Sequence, residues 1–293
     1  GSRVRRVMGR PMRTDVLLSA AIERLAAAGV DTPRLDAEIL LARASGVSRT
    51  SLFTWPEKEI TEEACAQFES WLERRIRHEP VTYLLGDQEF YGRLFGVSPA
   101  VLIPRPETEH IIEVVLGLSS IPHRIVDVGT GSGCIAVTLA LELEGVELCA
   151  VDISDEALGV ARENIGRHGV EARVTCCQSD LLSAGGLDGP FDLVVSNPPY
   201  VESTYLADMQ PDVADYEPHQ ALFAGESGLD VIERLAAQAY ERLSPGGALV
   251  MEFGAGQHDQ VVDLLVSQGY TEVTLTRDLS GHPRVVCGLK ARF

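Results

Sequence analysis

No run of about 18 apolar residues interrupts this 293-residue chain, so no transmembrane helix is expected. The cysteines are few and scattered, six in all (65, 134, 149, 176, 177 and 287), and none forms a C-x-x-C pair. That removes the usual zinc and dithiol spacings. In apolar runs such as "ELCAVD" and "RVVCGL" they read as small buried hydrophobes of a reducing, cytoplasmic setting, and no metal is expected. Internal repeats and low-complexity tracts are absent. Positive charge is scarce. The net charge is −18, and the first 13 residues carry five arginines and no acid, so the rest holds −23. Such a surface repels a phosphate backbone, and no Lys/Arg cluster offers a local exception; it suits a basic protein partner, or serves solubility alone. No apolar segment follows the N-terminal arginines, so no secretory leader is expected. Residues 1–13 are expected to form a disordered tail, and they are set aside.

What is present falls into two regimes. Residues 14–85 have the period of helices. In "TDVLLSAAIERLAAAG", Leu17, Leu18, Ala21, Ile22 and Leu25 share a face, with Thr14 as a candidate N-cap and Gly29 as the stop. "PRLDAEILLARASG" repeats the plan, with Pro33 in its first turn and Gly46 after its end. "TEEACAQFESWLERRIRHEP" is a third amphipathic helix, closed by Pro80, with Phe68, Trp71, Leu72 and Ile76 as its apolar stripe. No acid–base constellation stands out here, and a small bundle able to dock a partner is expected. Residues 86–104 switch to alternation around a Tyr91-Gly92 turn, which predicts a β-hairpin bridging two domains.

From about 105 to 293, strand-like and helix-like segments alternate, from "RIVDVG" to "GALVMEFG". This predicts an α/β fold with a doubly wound, mostly parallel sheet. The last two strands, "EVTLTRD" and "RVVCGLK", lie too close together for a helical crossover and are expected to form an antiparallel hairpin.

Ligands of such sheets bind beyond the carboxyl ends of the strands. "DVGTGSG" follows the first strand, with glycines at 129, 131 and 133. A dinucleotide fingerprint would be G-x-G-x-x-G, and a Walker loop would need Gly-Lys-Ser/Thr; neither is present. Asp152 ends the second strand, 19 residues beyond Gly133, where an acid accepts hydrogen bonds from ribose hydroxyls; capping the next helix is the alternative, a task Ser154 or Asp155 could also perform. Asp180, after the third strand, sits where an adenine edge would lie or else stabilises a turn. The fourth strand ends in "SNPPY", where Pro198 and Pro199 force the chain out of the sheet. One site from four loops is thus predicted. It fits a nucleoside ligand whose reactive end faces Asn197, and S-adenosylmethionine leads because phosphate and hydride motifs are missing. Methyl transfer to a planar nitrogen needs that nitrogen held by acceptors. Asn197 Oδ1 and the Pro198 carbonyl supply two, and Tyr200 could stack on the planar group.

At these residues the chain resembles class I methyltransferases acting on planar nitrogens, and more closely the HemK-type release-factor glutamine methyltransferases. The resemblance runs from about residue 14 to 293 and rests on "PVTYLLGDQEFYG", "LIPRPETE", "DVGTGSGCIA", "SNPPY", "ALFAGESGLD" and "LSGHPRVVCG". It implies a seven-stranded Rossmann-like methyltransferase sheet (105–293) behind a helical substrate-recognition domain. It also implies methylation of the glutamine of the Gly-Gly-Gln loop of peptide-chain release factors, with S-adenosylhomocysteine as product; a cytoplasmic monomer is expected. Cofactor positions carry over onto Gly129, Thr130, Gly131, Ser132, Gly133, Asp152, Asp180, Leu181 and Asn197, and the substrate clamp onto Asn197, Pro198, Pro199 and Tyr200. Leu181 departs from members with an aromatic there. Arg105 and Glu107 are implied to order a cofactor lid and the hairpin. Methylation of a ribosomal-protein glutamine stays open. A DNA amino-methyltransferase, which "NPPY" alone would also fit, is opposed by the acidic chain.

Overall fold

The computed structural model describes residues 12–187 and 189–292. Residues 1–11, the greater part of the expected tail, lie outside the described residues. Met12 and Arg13 do not belong to a tail: β1 (Met12–Arg13) pairs antiparallel with β2 (Glu59–Ile60).

The chain divides into two compact units. The first comprises the described part of Gly1–Gly86 together with Pro211–Tyr216. It holds α1 (Thr14–Ala27), α2 (Pro33–Ser45), α3 (Arg49–Thr54), α4 (Glu62–Ile76) and α5 (Val81–Leu85). Thr14 does not cap α1, because its hydroxyl donates to the Lys58 carbonyl at 2.9 Å. Gly46 ends α2 in the left-handed conformation. The third predicted helix stops four residues short of Pro80. The residue before a proline avoids the α region, and His78 reverses the chain at φ 65°, its N–H donating to the Arg75 carbonyl. Leu18, Leu25, Leu40, Leu41, Phe68 and Leu72 fill the core, as the helical spacing predicts. A buried arginine fixes the outlying segment: Arg75 meets Asp36 at 2.7 Å and Asp212 at 2.7 Å.

The second unit starts with a hairpin, β3 (Asp87–Phe90) and β4 (Arg93–Gly96). Tyr91 and Gly92 both take positive φ, as a two-residue type I′ turn requires. This hairpin, expected to bridge two domains, packs inside the second unit: Asn164 accepts from Gly96 N–H and donates to the carbonyls of Gly96 and Ser132. Then follow α6 (Glu109–Leu116), β5 (Arg124–Val128), α7 (Cys134–Glu142), β6 (Glu147–Asp152), α8 (Asp155–Arg167), β7 (Val174–Gln178) and β8 (Phe191–Ser196). After α9 (Pro211–Tyr216), which belongs to the first unit, come α10 (Asp230–Arg242), β9 (Leu243–Glu252), α11 (His258–Ser267), β10 (Tyr270–Arg277) and β11 (Pro283–Lys290).

The sheet order is β10-β11-β9-β8-β5-β6-β7. The strands β9, β8, β5, β6 and β7 run parallel, and the terminal β10–β11 hairpin is antiparallel, as expected. Its faces are covered by two cores, one around Ile111, Leu139 and Val195, the other around Leu235, Leu249 and Phe253. The chain runs outward from β5 to β7, then returns to place β8 on the other side of β5. That reversal opens a crevice at the carboxyl ends of β5 and β8.

Candidate active site

A cavity of about 360 Å³ occupies this crevice, the size of a small-molecule pocket. Its floor is the loop after β5. Gly129 and Gly131 line it at φ 71° and 54°, and a Cβ built on either would meet nothing within 4 Å, so each leaves open space that a side chain would take. Thr130 and Ser132 line it too. Gly133 does not. It caps α7 at φ 79°, and a Cβ there would come within 3.3 Å of Ala161, so this glycine serves helix packing.

Asp152 reaches the cavity from the end of β6. Gly131 N–H donates to its Oδ2 at 2.9 Å and Ser154 N–H to its Oδ1 at 3.0 Å. Two amides therefore aim the carboxylate, and each oxygen keeps a lone pair for a ligand hydroxyl. The cap of α8 is Ser154, whose Oγ accepts from Ala157 N–H at 3.2 Å. Asp180 and Leu181 line the wall after β7. Asp180 pairs with Arg234 at 2.7 Å, and Leu181 is held at φ 52°, an uncommon conformation for a residue with a branched side chain.

Asn197 and Pro199 line the cavity after β8, while Pro198 is buried beneath them. Asn197 Nδ2 donates to Thr108 Oγ1 at 3.2 Å. Tyr200 is not on the wall; its hydroxyl donates to Glu252 Oε1 at 2.8 Å, and burial, then the Glu252 charge, pushes its pKa up. The facing wall comes from Val101–Pro104 and from Pro218–Phe223. Between these stretches, buried Glu217 accepts from Ile103 N–H at 3.1 Å and pairs with Arg105. Arg105 thus secures the wall segment. Beneath the floor, Asp127 accepts from Thr130 Oγ1 at 2.7 Å, and burial pushes its carboxyl up to about 7.

A release factor glutamine methyltransferase of Koribacter versatilis is 48% identical over 273 residues, covering 92% of this chain and 96% of that protein. The chain belongs to this family. A second member, from Nitratidesulfovibrio vulgaris, is 42% identical over 92% of each chain. The model of the PrmC N-terminal domain matches residues 17–86, and that of the methyltransferase small domain matches 112–212. A crystal structure of a methyltransferase from Pyrococcus furiosus superposes with a TM-score of 0.50 at 18% identity, over 69% of this chain and 91% of that one, which shows the shared fold. The Rossmann-like methyltransferase sheet read from the sequence is the one the structure shows.

Of the predicted site residues, Gly129, Thr130, Gly131, Ser132, Asp152, Asp180, Leu181, Asn197 and Pro199 converge on one cavity. Gly133 and Tyr200 stand behind its wall, and Pro198, buried, follows Asn197 at its edge. Sequence reasoning passed over four further residues: Thr108, Phe223, Arg234 and Glu252. Thr108 lies inside the quoted "PRPETE" between residues that drew more notice, and Phe223 inside "ALFAG". Glu252 carried the clearest signal, a single acid at the end of the apolar run "GALVME". Arg234 sits on a helix where any charge reads as solvated.

Proposed function

We propose that this enzyme methylates the side-chain amide nitrogen of a glutamine in peptide-chain release factors, that of the Gly-Gly-Gln loop, with S-adenosylmethionine as methyl donor. The observation that carries the reading is Asn197 at the cavity edge, its NH₂ occupied by Thr108. That leaves Oδ1 to accept a hydrogen from a planar NH₂ group. The residues fit the cofactor. Gly129 and Gly131 leave room that a Cβ would fill, Asp152 aims a carboxylate at ribose height, and the wall carries two acids against one arginine. When bound, S-adenosylmethionine supplies an electrophilic methyl group and departs as a neutral thioether.

The chain's own contribution is alignment. Asn197 Oδ1 and the carbonyl of Pro198, stiffened by adjacent proline rings, hold the two hydrogens of the acceptor amide. The nitrogen then faces the methyl carbon as the new N–C bond replaces the C–S bond. The amide's surplus proton leaves to water afterwards, so no buried base is required. Alignment of this kind supplies roughly 7–11 kcal/mol of a barrier. The acidic surface suits a basic, ribosome-bound protein substrate in the cytoplasm.

The test is methyl incorporation into a release factor, with mass spectrometry locating the label. Wild type should label the glutamine, and Asn197→Ala should lower turnover about 10²–10³-fold, the usual cost of one preorganised contact. Asn197→Asp should keep cofactor affinity and still turn over poorly, because its carboxylate stands beside the sulfonium. Label on a ribosomal-protein glutamine or on DNA, with none on the release factor, would replace this substrate. Wild-type rates in Asn197→Ala would take Asn197 out of the mechanism.

A further inference from the structure

β9 is apolar along its second half until Glu252, whose side chain is buried at the carboxyl end of the strand. The two oxygens of Glu252 take different hydroxyls. Tyr200 donates to Oε1 at 2.8 Å and Thr108 to Oε2 at 2.6 Å. Thr108 in turn faces Asn197 Nδ2 at 3.2 Å. All four residues belong to the second unit.

Hydrogen-bond arithmetic fixes the direction of this chain. Both oxygens of Glu252 accept, one from the Tyr200 hydroxyl and one from the Thr108 hydroxyl. Thr108 has one hydroxyl hydrogen and gives it to Glu252, so it offers Asn197 nothing but a lone pair. Asn197 must answer with its NH₂. The two ends of an asparagine amide are nearly identical in shape, so packing alone does not choose between them. The chain of partners does. We infer that Glu252 and Thr108 are positioning residues for methyl transfer, holding the Asn197 amide in the one orientation that presents Oδ1, and not Nδ2, to the acceptor nitrogen. Tyr200 braces Glu252 from the other side, which accounts for its absence from the cavity wall. With the amide inverted, an NH₂ would confront the acceptor's NH₂, donor against donor.

The inference rests on the methyl-transfer reading above and deepens it. Its test compares Thr108→Val, which keeps the shape and removes the hydroxyl, with Thr108→Ser, which keeps the hydroxyl, and with Glu252→Gln. A glutamine at 252 can donate to Thr108, whose hydrogen is then free to turn towards Asn197 and invert the amide. Melting temperatures establish that each variant is folded; should Glu252→Gln not fold, the Thr108 pair carries the test alone. Turnover on a release factor should drop at least tenfold in Thr108→Val and in Glu252→Gln, and recover to within about threefold of wild type in Thr108→Ser. The Kd for S-adenosylhomocysteine, measured by calorimetry without turnover, should stay within about threefold throughout. In an Asn197→Ala background, Thr108→Val should change turnover less than twofold, because the group it orients has gone. Full turnover in Thr108→Val overturns the inference. So does a loss that adds in full to that of Asn197→Ala, or one matched by an equal loss of cofactor affinity. A wild-type enzyme that labels no release factor would instead overturn the substrate reading.

Discussion

In the helical unit, the buried carboxylates of Asp36 and Glu38 each meet an arginine. Arg75 reaches Asp36 at 2.7 Å, and Arg49 reaches Glu38 at 2.7 Å. In the sheet unit, buried Glu217 likewise pairs with Arg105, but the buried carboxylates of Asp127 and Glu252 meet hydroxyls: Thr130 for the first, Thr108 and Tyr200 for the second. Burial drives the Asp127 and Glu252 pKa values up, and the hydrogen bonds offset it only in part. The contrast separates two uses of a buried charge. A cation partner neutralises the acid and ties two segments together, which is a structural task. A hydroxyl partner leaves the acid as an acceptor with a perturbed pKa, and such groups gather at functional sites. Both hydroxyl-partnered acids stand within one or two side chains of the cavity. None of the three buried arginine-paired acids, Asp36, Glu38 and Glu217, is on its wall.

The comparison breaks most visibly at Arg75. Removing the guanidinium leaves buried Asp36 with the Thr32 hydroxyl but no cation, and leaves Asp212, in the segment Pro211–Tyr216 that packs into the helical unit, with His78 alone. Arg75→Ala should cost about 3–5 kcal/mol, the usual penalty for stripping one member of a buried pair. Both tryptophans of the chain, Trp55 and Trp71, lie in this unit, so fluorescence during urea denaturation reports on it alone. Cofactor affinity, read by calorimetry, should change little. An unmoved denaturation midpoint would mean that Arg75 does no structural work.

The same distinction explains how much was legible beforehand. Periodicity exposed the helices, because the Leu18, Leu25 and Leu40 spacing follows from the helix repeat itself. The glycine turn and "NPPY" were legible because glycine and proline restrict the backbone locally, whatever surrounds them. The buried pairs were not. Asp36 and Arg75 are 39 positions apart, Thr108 and Glu252 are 144 apart, and only folding brings them together. Pro211–Tyr216 returns to the helical unit for the same reason: no local pattern marks a segment whose partners lie more than 130 positions upstream. An aromatic beside two prolines suggests stacking, but the Glu252 partner of the Tyr200 hydroxyl lies 52 positions away, where no local pattern marks it.

Asp152 sharpens the comparison from the exposed side. It is a half-buried acid with amide partners only, aimed at the cavity by Gly131 and Ser154. Asp152→Ala removes the acceptor proposed for two ribose hydroxyls. Hydrogen bonds to a charged group contribute roughly 1.5–3 kcal/mol, so the Kd for S-adenosylmethionine should rise at least tenfold, while the tryptophan-reported stability of the helical unit stays unchanged. An unaltered Kd would remove Asp152 from the cofactor site.

Asp127 gives the smallest effect and the most direct reading of an acid buried without a cation. Its folded pKa is raised, to about 7, above the ordinary carboxylate value of 3.8. For a group shifted in that direction the neutral form favours the fold. Its contribution to stability is fully present below the unfolded value and is lost as pH rises through about 7. Between pH 5.5 and pH 7 the loss runs at about 1.4 kcal/mol per pH unit, or about 2 kcal/mol in total. Asp127→Asn cannot ionise and should be free of this loss. The stability of wild type relative to Asp127→Asn, from denaturation at pH 5.5 and at pH 8, should therefore fall by about 2 kcal/mol. Asparagine retains an oxygen for the Thr130 hydroxyl, so the local geometry is kept and the difference isolates the charge. A pH-independent difference would mean that Asp127 titrates as an ordinary carboxylate, and the contrast between the two kinds of partner would then rest on Glu252 alone.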